Sequence, residues 1–345
     1  MHRKPKSWWW LPLCLTLAAC QAQKSAGDEE AQPETVPVSN GDGSGAVSTA
    51  TPEAKRAEKP VDVRKSTKWP PAEVVSGTAI VSCDVDPAGK DAGRPLTNLE
   101  FFSVVDAMSP CQEAGAIRLS YKGKIAADFT DLVERVGAMA DRMDIRTRVL
   151  DLDSSGGRVE DAMKAGDIIA GSHWSIRVGE AAICHSACVL VLAAGDDRAI
   201  AGKVGIHRMV RIGSKATSRA ELSEELQQVY QQMKAYLERN GASVAVADLM
   251  MTVPNRSLRL LGEAELKEYG LDGTNAAQDD LERIVLSRKC GEEFVKRKDD
   301  YARAYEAECA AKKTETAVAC AATLDERYGF PDAKCPADGP QPASG

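Results

Sequence analysis

The chain lacks an apolar run long enough to cross a bilayer. Its N-terminal run, Trp8 to Ala19, has 12 residues, whereas a spanning helix needs about 20. The body has no cluster of lysine and arginine, and the chain's net charge is -7 with an isoelectric point of about 5.4. A nucleic-acid partner therefore has no electrostatic support. No two cysteines stand at the close CxxC spacing that makes a zinc site a strong reading. From Gln21 to about Lys68 large apolar residues are almost missing, and Ala, Gly, Ser, Pro, Thr and Glu prevail. Such a stretch cannot bury enough surface to offset the entropy of ordering, which predicts a flexible tether over residues 20–71. About 50 residues of this kind have a root-mean-square reach on the order of 40 Å.

What is present at the N-terminus reads as an export signal. Arg3, Lys4 and Lys6 precede the apolar run, and Leu17-Ala18-Ala19-Cys20 closes it. Charge, then a short apolar core, then small residues is the layout of a secretory signal over residues 1–19. Its ending resembles a lipobox, which implies acylation of Cys20 and a lipid anchor in the cell envelope. Gln21 after it favours the outer membrane, facing the periplasm, in a Gram-negative cell. An ordinary signal peptide cleaved near the same point is the alternative.

Ten cysteines less Cys14 and Cys20 leave Cys83, Cys111, Cys184, Cys188, Cys290, Cys309, Cys320 and Cys335. An even number in an oxidising compartment predicts disulfides, with the pairing left open by sequence.

The folded body is expected over residues 72–277, where strand-like and helix-like segments alternate. Ala116 to Tyr121 alternates apolar and polar residues, and Phe129, Leu132, Val133, Val136 and Met139 recur at helical spacing. Arg148 to Asp153 reads as a strand, Val159 to Ile169 as a helix, and Ser175 to Val178 as a strand. Ala187 to Ala194 reads as a buried helix, Arg198 to Ala201 as a short strand, and Glu221 to Arg239 as an amphipathic helix. This rhythm argues for a layered α/β domain with a parallel sheet. Residues 278–335 are charged, helical and cysteine-bearing. Two antiparallel helices joined near Lys312 would pair Cys309 with Cys320 and Cys290 with Cys335, giving a small disulfide-stapled helical appendix. Residues 336–345 are expected to be disordered.

Three segments carry candidate chemistry. Ser154-Ser155-Gly156-Gly157 lies between a strand and a helix, where paired glycines let the backbone turn tightly and expose amides. A plain βα turn explains the same residues. In Cys184-His185-Ser186-Ala187-Cys188 a serine sits at the mouth of an apolar helix, with the Ala187 amide beside it. An N-cap serine is the bland alternative. Val204-Gly205-Ile206-His207 is strand-like and ends in a histidine, 21 residues after Ser186. His185 reads as structural, because neighbouring side chains rarely face each other at a turn. Cys184 and Cys188 could bridge across that turn or, with the two histidines, bind a metal.

Taken in order, Ser-Ser-Gly-Gly after a strand, a serine before an Ala-Ala-Gly helix, and Gly-Ile-His resemble the Clp protease proteolytic subunit of the ClpP/crotonase superfamily. Glu263 to Asp272, ending Glu-Tyr-Gly-Leu-Asp, is similar to that family's closing helix. The likeness runs from about Ala116 to Asp272 and is greatest to the exported, stand-alone branch, where the serine sits in Cys-x-Ser-Ala-Cys. It implies Ser186 as nucleophile, His207 as general base, and the amides of Gly157 (or Gly156) and Ala187 as an oxyanion hole. The family's orienting aspartate should fall near Pro254-Asn255-Arg256-Ser257, where this chain has none. Asn255 or Ser257 would have to hold the imidazole instead.

Two functional readings stand. One is a serine hydrolase acting on peptides or unfolded segments without cofactor, metal or ATPase partner, since the envelope lacks ATP. The other is a degenerate Clp-like lipoprotein that binds a partner. An acyl-CoA enzyme of the same superfamily would give Ser186 and His207 no role. Assembly into oligomers is left open.

Overall fold

The computed structural model describes residues 61–340 except Lys90, 211–213, Asn255 and Lys313, together with residues 35–37. The signal, Cys20 and most of the tether lie outside the described residues, as does the end of the tail.

Strand β1 is Thr35–Pro37. The body begins with β2 (Gly77–Ser82), β3 (Arg94–Pro95), α1 (Phe101–Met108) and α2 (Cys111–Ala114). Then come β4 (Ala116–Gly123), α3 (Ala127–Arg142), β5 (Thr147–Asp153), α4 (Val159–Ala170) and β6 (Ser175–Val178). β7 (Ile183–His185) leads into α5 (Cys188–Ala193), followed by β8 (Asp197–Ile200) and β9 (Lys203–Ile206). After α6 (Arg219–Arg239), α7 (Ala245–Thr252), β10 (Ser257–Leu260), α8 (Glu263–Glu268) and β11 (Gly273–Thr274), three helices close the chain. These are α9 (Ala276–Cys290), α10 (Glu292–Glu308) and α11 (Thr314–Tyr328).

The larger sheet has the order β11-β8-β6-β5-β4-β2-β3. Its centre, β4, β5, β6 and β8, is parallel, and the antiparallel pairs lie at its two ends. Parallel neighbours require crossovers, which α3, α4 and α5 supply. The alternation in β4 puts Ile117, Leu119 and Tyr121 into the core, where Phe129 of α3 packs on Tyr121 at 4.5 Å between ring centroids. This is the layered α/β fold with a parallel sheet that the alternation of segments predicted.

A second sheet, β1-β10-β9-β7, positions the site. β7 and β9 run parallel, with His185 opposite Gly205. α5 is wholly buried, as its unbroken run of Val and Leu requires. Tyr236 of α6 fixes it by donating its hydroxyl to the Leu190 carbonyl at 2.7 Å. A Cβ at Gly166 would come within 1.8 Å of that hydroxyl oxygen, so only glycine leaves room for it.

Two boundaries differ from expectation. The packed body starts near Val61, inside the expected tether of residues 20–71. Val63 and Trp69 join the core, and the Trp69 indole donates to the carbonyls of Val63 and Ser66. Arg142 donates to the carbonyls of Val63, Arg64 and Ser66. Arg64 adds a pair with Asp141 and a bond to Ser172, so two apolar anchors and a few guanidinium contacts order a polar segment. The expected disordered tail of residues 336–345 likewise begins with a 3-10 turn, Pro336–Asp338. Asp338 pairs with Lys289 at 2.8 Å.

Four disulfides join Cys83–Cys111, Cys184–Cys188, Cys290–Cys335 and Cys309–Cys320. The last two give the nested pairing expected of the appendix, although three helices rather than two build it.

Candidate functional site

Ser186 terminates β7 with φ +59, a left-handed conformation that a serine rarely adopts. Its amide donates to the Gly205 carbonyl at 2.8 Å, and its own carbonyl accepts from Val189 at 3.0 Å. The chain thus passes from strand to helix in a single residue. Both flanking cysteines are fully buried and bonded to each other, with Cα atoms 5.2 Å apart. Their bond leaves no thiolate for the metal reading. Among the described residues, the one group with metal-ligand atoms gathered within 4.8 Å is Cys290, Cys335 and Asp338. Its two sulfurs are bonded to each other as well.

The glycine turn presses on this serine. The Ser154 amide donates to the Ile183 carbonyl at 2.7 Å, and the Ser154 carbonyl accepts from His185 at 2.9 Å. Gly156 has φ +99. A Cβ there would lie 2.7 Å from both the His185 carbonyl oxygen and the Ser186 Cβ. Gly157 is as tightly held, because an added Cβ would meet the Ile125 carbonyl oxygen at 2.0 Å. Neither the Gly157 nor the Ala187 amide donates a hydrogen bond among the described residues. Both donors are uncommitted, one next to Ser186 in sequence and one following Gly156, which packs on it; an oxyanion hole needs such donors.

His207 follows β9 on the strand next to Ser186 and is 4 % exposed. Its Nδ1 lies 3.0 Å from the Arg208 carbonyl oxygen. A carbonyl can only accept, so Nδ1 carries the proton and Nε2 carries the lone pair. The Ser186 hydroxyl is buried with no hydrogen-bond partner among the described residues, so it is not bonded to His207; the register of β7 on β9 sets the two on neighbouring strands. Catalytic hydrogen bonds commonly tighten only around substrate.

Of the candidates for a third member, Asn255 lies outside the described residues. Ser257 begins β10 and makes no hydrogen bond to His207. Arg259 pairs with Ile206, so continuing this register sets Leu258, not Ser257, across from His207. The Arg208 carbonyl was not a candidate, because a backbone acceptor has no residue type for a sequence to display.

His185, read as structural, packs on β9, the strand that leads to His207. Its ring lies against Gly205, where a Cβ would meet its Cδ2 at 3.1 Å, and its Nε2 is buried without a partner among the described residues. Burial lowers its pKa below the usual imidazole value, and the neighbouring His207 adds to that, against the opposing pull of Asp153. A groove of about 840 Å3 over the large sheet, walled by Ile80, Ser120, Asp151 and Arg177, reaches Ala182 but is not lined by Ser186 or His207.

No protein-family model matches the sequence, and no curated protein matches it. Among solved structures, a serine-to-alanine mutant of the 1510-N membrane-bound stomatin-specific protease aligns at 18% identity and TM-score 0.37, covering 48% of this chain and 81% of that one. A lysine-to-alanine mutant described under the same name, in complex with a substrate peptide, aligns at 19% identity and TM-score 0.34, covering 44% and 71%. These scores are too low to carry an argument, and the chemistry rests on the geometry of the site itself.

Proposed function

We propose that the chain is a serine hydrolase of the cell envelope, acting on peptides or unfolded segments and held at a membrane by lipid on Cys20. The observation that carries this reading is the Ser186 turn. A serine held at φ +59, with the amide of Ala187 after it uncommitted, is a strained strand-to-helix elbow of the kind that presents a nucleophile. The lipobox-like ending at Cys20 supports attachment by lipid; among the described residues no helix is long and apolar enough to cross a membrane.

In this reading Ser186 Oγ adds to the scissile carbonyl carbon as its proton passes to His207 Nε2. The carbonyl oxygen takes the negative charge and is met by the amides of Gly157 and Ala187. When the carbon–nitrogen bond breaks, Nε2 returns the proton to the departing amine, leaving an acyl group on Ser186. Water, activated by the same nitrogen, then releases the acid.

A second reading, a binding platform without catalysis, is favoured by one observation: Ser186 is fully buried and not bonded to His207. A fluorophosphonate probe with mass mapping of the labelled residue separates the two. Label on Ser186 that vanishes in Ser186→Ala and falls sharply in His207→Ala supports the hydrolase. Absence of label on folded, disulfide-intact protein would overturn it in favour of the binding platform.

A further inference from the structure

One face of α9 carries exposed apolar side chains, and at its edge Leu281 and Val285 line a groove bounded by His173, Asp196 and Lys298. Leu281, Ile284 and Val285 stand at helical neighbour spacing and are 52%, 48% and 50% exposed. On the other side of the helix, Leu286 packs against the appendix core around Phe294 and Tyr301. Arg283 there forms a two-point pair with Asp299 of α10 at 2.7 and 2.8 Å. Other large exposed apolar side chains, such as Val75, Phe102 and Val318, stand on separate segments, which is ordinary for a surface. Three on one helical stripe form a patch that needs an occupant.

The stripe and the charges beside it identify that occupant. Ala277, Leu281, Ile284 and Arg288 recur in steps of four, three and four, the seam spacing of helices that pair along their length. Charge along α9 runs from acidic to basic, with Asp279, Asp280 and Glu282 in the first half and Arg283, Arg288 and Lys289 in the second. Arg283 and Lys289 are engaged by Asp299 and Asp338. That leaves Arg288, on the stripe itself, as the cation facing outward. A helix with this polarity complements a second copy of itself laid antiparallel. With a two-fold axis between residues 282 and 283, Leu281 meets the partner subunit's Ile284, and Arg288 lies along the partner subunit's acidic first turn.

We propose that α9 is a self-association surface, which pairs two copies of this chain antiparallel through Leu281, Ile284 and Val285, with Asp280 and Arg288 as reciprocal charge contacts. About four turns of helix bury less than the roughly 800 Å2 per partner of a standard interface. The pair is therefore weak and reversible in dilute solution, and is populated where the chain is concentrated.

Sedimentation of the full chain in density-matched detergent, over a concentration series, tests this. A monomer–dimer equilibrium is expected. Leu281→Glu with Ile284→Glu should weaken it on the order of tenfold or more, since the apolar seam is lost. Asp280→Arg alone and Arg288→Asp alone should each weaken it, and the two combined in one chain should restore it, because a two-fold interface re-forms both contacts after a swap. These side chains are exposed, and thermal unfolding of each variant checks that the fold is kept. A chain that stays monomeric at every concentration would overturn the proposal. So would a dimer indifferent to the two glutamates, or singles that weaken the dimer with no recovery in the swap.

Discussion

The Nδ1 of His207 sits 3.0 Å from the carbonyl oxygen of the next residue, Arg208. A chain without the aspartate expected near residue 255 thus still holds its imidazole in the tautomer a general base needs. A carbonyl orients the ring but stabilises imidazolium less than a carboxylate does, so catalysis should be slow. Loss of the proposed base, in His207→Ala, should lower the rate of fluorophosphonate labelling about 10²- to 10⁴-fold. Asn255→Ala should change it by less than about tenfold, because the holding acceptor is backbone. A larger loss in Asn255→Ala would show that the amide side chain, and not Arg208, orients His207.

Gly156 should tolerate no side chain. Its φ of +99 disfavours any L residue, and a Cβ would strike the Ser186 Cβ and the His185 carbonyl, both at 2.7 Å. Gly156→Ala should cost about 1–3 kcal/mol from backbone strain. It should also lower Ser186 labelling by about 10² or more, as the donors beside the serine are displaced. Chemical unfolding and probe labelling of the same sample measure the two effects. Unchanged labelling would mean that the glycine turn does not set the position of the serine.

The disulfides should divide between activity and stability. Cys184–Cys188 closes a very short loop, with a sequence separation of 4, and chain entropy gives it about 2 kcal/mol. Cys290–Cys335 spans 45 residues and by the same relation is worth about 4 kcal/mol. Replacing Cys184 and Cys188 by alanine should therefore reduce labelling far more than stability, since the pair brackets the Ser186 turn. Replacing Cys290 and Cys335 should lower the stability of the α9–α11 segment and leave labelling intact. Labelling rates beside unfolding midpoints test both halves, and the reverse pattern would remove the short bridge from the site.

Much of the large sheet was legible because its elements are long enough to show a period. β4 alternates over eight residues and α3 carries its apolar stripe over sixteen. Of the second sheet only β9 showed, as the strand-like Val204 to His207; β7 has three residues and β10 four, too short to display a period. Ser186 and His207 drew notice through motif order. Val63 and Trp69 were hidden in a polar stretch because two isolated anchors make no pattern. The place of His185 gave no sequence signal: its ring lies on Gly205 and feels the charge of His207 because β7 registers beside β9.

His185 should leave a mark on the pH dependence of stability. Burial, together with the nearby His207 and Lys203, holds its folded pKa below the usual 6.5, against the opposing pull of Asp153. In acid the unfolded chain therefore takes up a proton before the folded one does. The stabilisation is fully present above about pH 6.5, declines as pH falls below that value, and is lost through the folded pKa. His185→Gln removes the titration while keeping a polar group of similar size. Wild type should lose stability relative to this variant as pH falls below about 6.5, with parallel curves above. Denaturant unfolding across that range is the measurement. Parallel curves throughout would mean that His185 protonates equally well folded and unfolded, and that its ring is not enclosed at the Ser186 site.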